Sequence, residues 1–399
     1  MTSRRSFLVA AGAFTGSARA AANVEAKIAK KDFRGITRQD LGTPAMILDE
    51  ALFEQNLRIM AASNKATGLN IRPHVKIHKC PEITRKQQAL GAIGACCATM
   101  AEAELITNAG MKGVLYTCQP AGVNKISRAA ALAKKSPTFM VVADDPITVD
   151  LLNEAAGAAG IRMNVFTDVF VALTRQGIQP GEPALKLAQK IDKSKNLRLA
   201  GLMGYSGDAA HTHGFEARRK KSMEDLAALK ESVEMCRKSG LEVPIVTGGS
   251  TGTYNIDMPV LTELQAGSYV FMDTAYMAIG GKSNDHMYTD FAPALTVLTT
   301  VVSHTRKNQC SIDAGNKAML RVTDQVKGRP EVKIQNQGAE YGMLHWTDTD
   351  KGFKLGELVE IYPTNLDTSV NVYDRLYIAR GEQIVDMWPI MGRAGAVQR

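Results

Sequence analysis

The sequence predicts an α/β chain: a (β/α)8 barrel followed by a C-terminal β-rich domain. Three observations carry that prediction. From Thr43-Pro44 onward, short apolar runs alternate with amphipathic helical stretches for roughly 240 residues, the pattern of a parallel sheet wrapped by helices. Eight such units can be read, the count of a closed barrel, and no dinucleotide fingerprint follows the first strand, as an open nucleotide-binding sheet would lead one to expect. Beyond Phe291 the helical periodicity stops and strand-like runs separated by turns take over.

In chain order, "AMILDE" opens the alternation and a helix from Ala51 follows it. "IRPHVKIH" is the second strand, with "EITRKQQAL" as its helix, and "GACCAT" precedes "AEAELITNAG". "GVLYTC" leads into a helix near 125–135, "TFMVVA" into one near 149–158, and "RMNVFTD" into one near 183–191. "LAGLMGYSG" introduces a long charged helix over 215–239, and "PIVTGGS" enters a glycine-rich turn. The later runs "ALTVLTTVVSH", "QCSIDAG", "EVKIQNQG", "LGELVEIYP" and "RLYIARGEQIVDMWP" make up a β domain of roughly 100 residues. The predicted division is a leader over 1–20, an N-terminal segment over 21–42, the barrel over 43–285 and the β domain over 286–399.

With 399 residues, 45% hydrophobic and 22% charged, the composition is that of an ordinary globular protein. The formal charge of +8 is spread along the chain, without the arginine-rich block or base-stacking aromatic set that marks a nucleic-acid binder. Residues 1–20 place Arg4 and Arg5 before a short apolar run that ends in Ala18-Arg19-Ala20. This is the pattern of a twin-arginine signal peptide, too short and polar to span a membrane stably, so the expected location is the periplasm and otherwise the cytoplasm. The six cysteines show no metal-finger spacing. Cys96-Cys97, in a small-residue strand, read as buried thiols acting as small hydrophobes.

The stretch "RPHVKIHK", 72–79, carries the chemistry. Read as a strand, it puts Arg72, His74, Lys76 and His78 on one face and Pro73, Val75 and Ile77 on the other. One reading is an edge strand protected by charge. The other is an anion or cofactor site in which a lysine crowded by cations has a depressed pKa and becomes a nucleophile. "TGGSTGT", 247–253, follows a late strand and offers flexible amides and hydroxyls, as a phosphate cradle requires. A lysine for an aldehyde and a loop for a phosphate are the two needs of pyridoxal phosphate.

On "LGTPAMILD", "RPHVKIHK", "GYSGDAAH", "TGGSTGTY", "ELQAGSYVFMD", "DAGNKA" and "NVYD…WP", the chain resembles the fold-type III pyridoxal-phosphate enzymes with an alanine-racemase-like barrel. It is most similar to the branch of D-threonine aldolase, D-3-hydroxyaspartate aldolase and D-serine dehydratase. The resemblance implies that Lys76 binds the cofactor aldehyde with His74 beside it, and that Gly248, Gly249, Ser250, Thr251 and Gly252 hold the phosphate. It further implies that Arg175 approaches the cofactor oxygen, that Tyr205 and Tyr269 lie near cofactor or substrate, and that His211 is the family histidine after "GYSGDAA". Packing aromatics remain the other reading of both tyrosines. Members pair two subunits, so a homodimer is expected.

Two positions depart from the pattern. Metal-dependent members carry a histidine followed two residues later by an acid or cysteine, where this chain has Asn365 and Asp367. They also read "EHG" where this chain has Glu340-Tyr341-Gly342. An Asn-x-Asp pair supplies only oxygen donors, suited to Mg²⁺ or Ca²⁺ rather than Zn²⁺, so a divalent metal stays open with Asp367 as its ligand. The expected activity is cleavage of the Cα–Cβ bond of a D-configured β-hydroxy amino acid, with His211, Tyr341 or Asp367 as base. Dehydration or racemisation by Cα-proton removal is the enzymatic alternative, and a periplasmic cofactor- or amino-acid-binding protein the non-catalytic one.

Overall fold

The structure is a computed structural model that describes residues 22–172, 174–319, 325–347 and 352–393. The expected leader over 1–20 lies outside the described residues. The chain divides into two compact units. One comprises Met1–Phe53, Ala294–Thr364 and Val372–Pro389, and the other comprises Glu54–Pro293, Asn365–Asn371 and Ile390–Arg399.

The second unit is the barrel. Its parallel strands are Asn70–Ile71, Ala95–Cys97, Val114–Tyr116, Met140–Ala143, Met163–Asp168, Leu197–Gly204, Ile245–Gly248 and Glu263–Leu264. All pair in chain order except that Glu263–Leu264 bonds both Ile245–Gly248 and Asn70–Ile71. The ring closes where His74 bridges Cys96, with the Ile93 amide donating to Ile71 and the Cys96 amide to Pro73, each at 2.9 Å. Inward side chains of successive strands, among them Cys96, Leu115, Met140, Val142, Phe166 and Met203, fill the interior as a packed core. Cys96 belongs to it and Cys97 is fully buried as well, and burial pushes both thiols up, as expected of cysteines acting as small apolar side chains.

Two expectations need correcting. "AMILDE" is not the first barrel strand: Ala45–Asp49 lies in the other unit, antiparallel to Leu295–Arg306 and parallel to Arg375–Arg380. A fully apolar run suits any strand buried on both faces, so its periodicity cannot say which sheet receives it. The eighth barrel strand is instead Glu263–Leu264, two residues long with a buried carboxylate, which no hydrophobic pattern reveals. Nor is "RPHVKIHK" a strand beyond its start. Pro73 has no amide to give the ladder, and Val75–Ile77 turns into a 3₁₀ helix whose Lys76 amide donates to His74 Nδ1.

The alternation of faces therefore ends at His74. Arg72 points away from Lys76 into the wall of the barrel, where its guanidinium forks onto Glu263 with nitrogen–oxygen distances of 2.9 and 2.8 Å and donates to the Gly113 carbonyl. Both side chains are almost wholly buried.

Among the described residues the first unit holds a nine-stranded, mostly antiparallel sheet. Within it Gln309–Ile312 bonds both Leu295–Arg306 and Gly342–His345, so six strands form a closed ring of the kind expected for the C-terminal β domain.

Candidate active site

Within the barrel unit a cavity of about 190 Å³ opens at the C-terminal ends of the strands. Thr117 follows Val114–Tyr116, Asp168 ends Met163–Asp168, Tyr205 follows Leu197–Gly204, Gly249 follows Ile245–Gly248, and Gln265 follows Glu263–Leu264. Five strands thus deliver a polar group or a backbone turn to one end, the arrangement on which catalytic barrels are built.

Lys76 enters from the 3₁₀ turn after the first strand. Its Nζ lies 2.7 Å from Asp367 Oδ2, the two side chains being 38% and 35% exposed. Desolvation pulls the amine down, but the Asp367 carboxylate, with Tyr205, outweighs it and holds the pKa above the ordinary lysine value. The expectation of a depressed pKa is therefore reversed, because the cations counted in the sequence do not crowd this amine. Arg72 is neutralised by Glu263. Burial, helped by Lys76 and Lys79, pushes His74 well below its usual range, and burial beside Lys79 pushes His78 down to about 3, so both rings are neutral at physiological pH.

Arg175 lines the same cavity with its guanidinium over the Tyr205 ring, 5.3 Å from the centroid. The turn that carries it is tied down at Gln176, whose amide nitrogen donates to Asp168 Oδ2 at 2.7 Å and to the Thr117 carbonyl at 3.0 Å. Asp168 also accepts from Gln119. Burial, helped by Asp144, lifts its carboxyl to about 7 against these hydrogen bonds. The sequence reading missed Asp168, Thr117, Gln265 and Tyr276. Only the position of Asp168 at the end of "RMNVFTD" could have flagged it.

The glycine-rich loop can be tested against the cofactor. A side chain at Gly249, whose φ is +74°, would put Cβ 2.8 Å from Leu264 and 2.9 Å from Asp257, and one at Gly252 would come within 2.2 Å of the Ala210 carbonyl oxygen. Glycine is needed at both to hold the loop this close to the barrel. Behind it, buried Asp257 accepts from Ser222 at 2.5 Å and from Thr253, whose hydroxyl in turn accepts the Ser250 amide at 3.1 Å. Among the described residues the Gly249 and Thr251 amides meet no protein acceptor, so two free amides, flanked by the Ser250 and Thr251 hydroxyls, share the cavity with a lysine. These residues fit pyridoxal phosphate. Gly248 belongs to the strand below, its carbonyl accepting Gln265 at 2.7 Å.

The other predicted residues are placed as follows. Tyr269 turns its ring into the core, against Phe291, with its hydroxyl on Gln87 at 3.0 Å; only its amide serves the loop, donating to Thr251 Oγ1. The cavity instead receives Tyr276, whose ring lies 4.4 Å from that of His211. Desolvation and the charge of Lys76 lower the His211 pKa against Asp367, leaving a neutral imidazole. Tyr341 belongs to the other unit, where it is half exposed on a groove with Asp313 and Lys317.

Asp367 reaches Lys76 from the short helix Leu366–Ser369, which is capped by Asn365 Oδ1 accepting the Thr368 amide at 3.2 Å and is pinned by Asp273 accepting the Leu366 amide at 3.3 Å. With Asn365 employed as a cap, its oxygen is not free beside Asp367. Among the described residues no three His, Cys, Asp or Glu side chains gather to hold an ion. This donor set does not fit a divalent metal.

The profile of the alanine racemase N-terminal domain matches residues 48–275, and that of a serine dehydratase-type domain matches 294–379. The chain is 32% identical to 3-hydroxy-D-aspartate aldolase of Paracoccus denitrificans, over 90% of this chain and 94% of that one. It is 31% identical to D-threonine aldolase of an Arthrobacter species, over 88% and 92%. The crystal structure of D-threonine aldolase from Filomicrobium marinum aligns with a TM-score of 0.87 at 34% identity, covering 91% of this chain and 98% of that one.

Proposed function

Since the chain belongs to the fold-type III pyridoxal-phosphate enzymes with the alanine racemase N-terminal barrel, we propose that it is a lyase cleaving the Cα–Cβ bond of D-configured β-hydroxy amino acids to glycine, or a small amino acid, and an aldehyde. The observation that carries the reading is the Lys76 amine, paired with Asp367, in one cavity with the Gly249–Thr251 amides. The aldolase relatives favour this reaction over the alternatives.

Gly249, Ser250 and Thr251 would hold the phosphate, and Lys76 the aldehyde carbon. When bound, the cofactor supplies a ring that accepts the electron pair released at Cα. The protein supplies the proton movements. Asp367, in contact with Nζ, keeps a proton on Lys76 whenever that amine is free. Neutral His74 adds no positive charge beside that amine. Cleavage needs a base for the β-hydroxyl proton. His211 suits the task because its imidazole is neutral at physiological pH, with Asp367 as the other candidate within the barrel unit. Arg175, stacked on Tyr205, offers a fixed cation for a carboxylate or for the cofactor oxygen.

The test is turnover of D-threonine, D-phenylserine, D-serine and D-alanine by holoenzyme, with and without chelator. Aldehyde plus glycine is the expected product, unchanged by chelator. A keto acid, an L-enantiomer or no turnover would instead support the dehydratase, racemase or binding-protein reading. Lys76→Ala should lose both the visible absorbance of bound cofactor and activity.

Assembly as a homodimer rests on the resemblance, and sedimentation at twice the chain mass is its check. Twin-arginine export to the periplasm rests on residues 1–20, and cell fractionation of an Arg4→Lys/Arg5→Lys variant checks it. Among the described residues no helix is long and apolar enough to cross a membrane.

A further inference from the structure

A second lysine lies beneath the first. Lys79 is 4% exposed and sits at φ +51°, a left-handed backbone that a lysine seldom adopts. That conformation turns its side chain back under the preceding turn. Its Nζ donates to the carbonyl of Lys76 and, at 3.4 Å, to the carbonyl of Asp367. Its own carbonyl accepts the Met391 and Gly392 amides at 3.1 and 3.4 Å, which fixes the backbone from the far side. Its counter-charge is Glu102, 1% exposed and held by the Ala98 and Thr99 amides.

We propose that Lys79 is a positioning residue: one buried ammonium joins the turn that carries Lys76 to the helix that carries Asp367, and so sets the ion pair between them. The need for such a tie is visible in the chain. The two segments are 291 residues apart, and the Asp367 helix is a single turn of four residues that could not hold its own position. Asp273 ties its first amide and Lys79 a later carbonyl, so the helix is fixed at two points. The inference rests on the reading of Lys76 as the cofactor-bearing lysine.

The readout is the pH dependence of the rate at which apoprotein takes up pyridoxal phosphate, followed by visible absorbance, since only the neutral Lys76 amine attacks the aldehyde. The groups facing Lys76 are Asp367, Tyr205 and Arg175, with His74, His211, Asp273 and Lys79 around them. Asp367→Asn should lower the midpoint by about 1–3 pH units, the shift an opposite charge in contact produces. Lys79→Met should lower it by about half of that or more, and adding it to Asp367→Asn should lower it no further.

The sign separates the explanations. Loss of a neighbouring cation by itself raises the midpoint, and a packing role lowers thermal stability without moving it. A midpoint that rises or stays in Lys79→Met, that stays in Asp367→Asn, or that falls again in the double variant overturns the proposal. Should Lys79→Met not fold, Lys79→Gln, equally uncharged, is read by the same signs. Lys76→Ala is the control for the underlying reading: uptake that persists in it removes Lys76 as the cofactor lysine, whatever Lys79 does.

Discussion

The pair Arg72–Glu263 gives the sharpest prediction about how the site is held. Both side chains are at most 4% exposed, and two parallel hydrogen bonds of 2.9 and 2.8 Å join them. At an effective dielectric of 20, charges this close attract by about 6 kcal/mol, much of which offsets the desolvation of the two ions. The net value of the pair is therefore small, but breaking it is costly. Arg72→Met leaves a carboxylate and the Gly113 carbonyl buried without their donor, which should destabilise the barrel by about 3–5 kcal/mol and lower its melting temperature by about 10 °C. Arg72→Met/Glu263→Leu, which removes both charges, should recover most of that loss.

Urea unfolding of the four proteins of the cycle measures these values. A single variant that loses less than about 1 kcal/mol, or a double variant no more stable than Arg72→Met, would refute the reasoning. The function should follow the same order. Arg72 stands two residues before His74, at the seam where the barrel closes, so Arg72→Met should also weaken cofactor binding and the double variant restore it.

Gly252→Ala should reduce affinity for pyridoxal phosphate at least about tenfold without unfolding the barrel, because its Cβ would meet the Ala210 carbonyl oxygen at 2.2 Å and push the loop away; fluorescence titration of apoprotein measures it, and unchanged affinity would remove the loop from the phosphate site. Asp168 and Asp273 should each contribute stability that falls as pH rises between about 4 and 7, against the opposite contribution of His74 and His78, whose buried neutral rings leave the unfolded chain binding more protons below about pH 6.5. Burial lifts both Asp168 and Asp273 from the ordinary 3.8 to about 7. In that interval the folded chain holds protons that the unfolded chain has released, and each group can account for up to about 4 kcal/mol. Urea midpoints at pH 5 and pH 8 for the unaltered chain and for Asp273→Asn isolate the Asp273 contribution: the variant should lose more stability at pH 5 than at pH 8, and an equal loss at the two values contradicts the assignment.

How much of this was legible in the sequence depends on the distance over which a residue's role is decided. The barrel and the later β domain followed from local periodicity, and Lys76 and the loop at 247–253 followed from composition and order. Partners were not legible. Whether "AMILD" joins the barrel or the other sheet is decided by strands that begin some 250 and 330 residues later. That Asn365 is a helix cap and not a ligand depends on whether a turn forms after it. Tyr269 and Tyr276 sit seven residues apart in similar surroundings, and only the backbone decides which ring faces the cavity.

The stretch "RPHVKIHK" shows the same limit in terms of charge. In sequence it is a run of basic residues, and the natural inference is a strongly positive surface that makes one amine acidic. Folding removes most of that charge: Glu263 cancels Arg72, and burial keeps His74 and His78 neutral. Lys79 faces Glu102, and Lys76 faces Asp367. What remains is nearly balanced, and the lysine amine is held protonated by one carboxylate. A cofactor phosphate would then meet backbone amides and hydroxyls instead of a cluster of cations. The reactivity of Lys76 would be set by where Asp367 stands, so control of the site passes from the conspicuous motif to a four-residue helix 291 positions downstream.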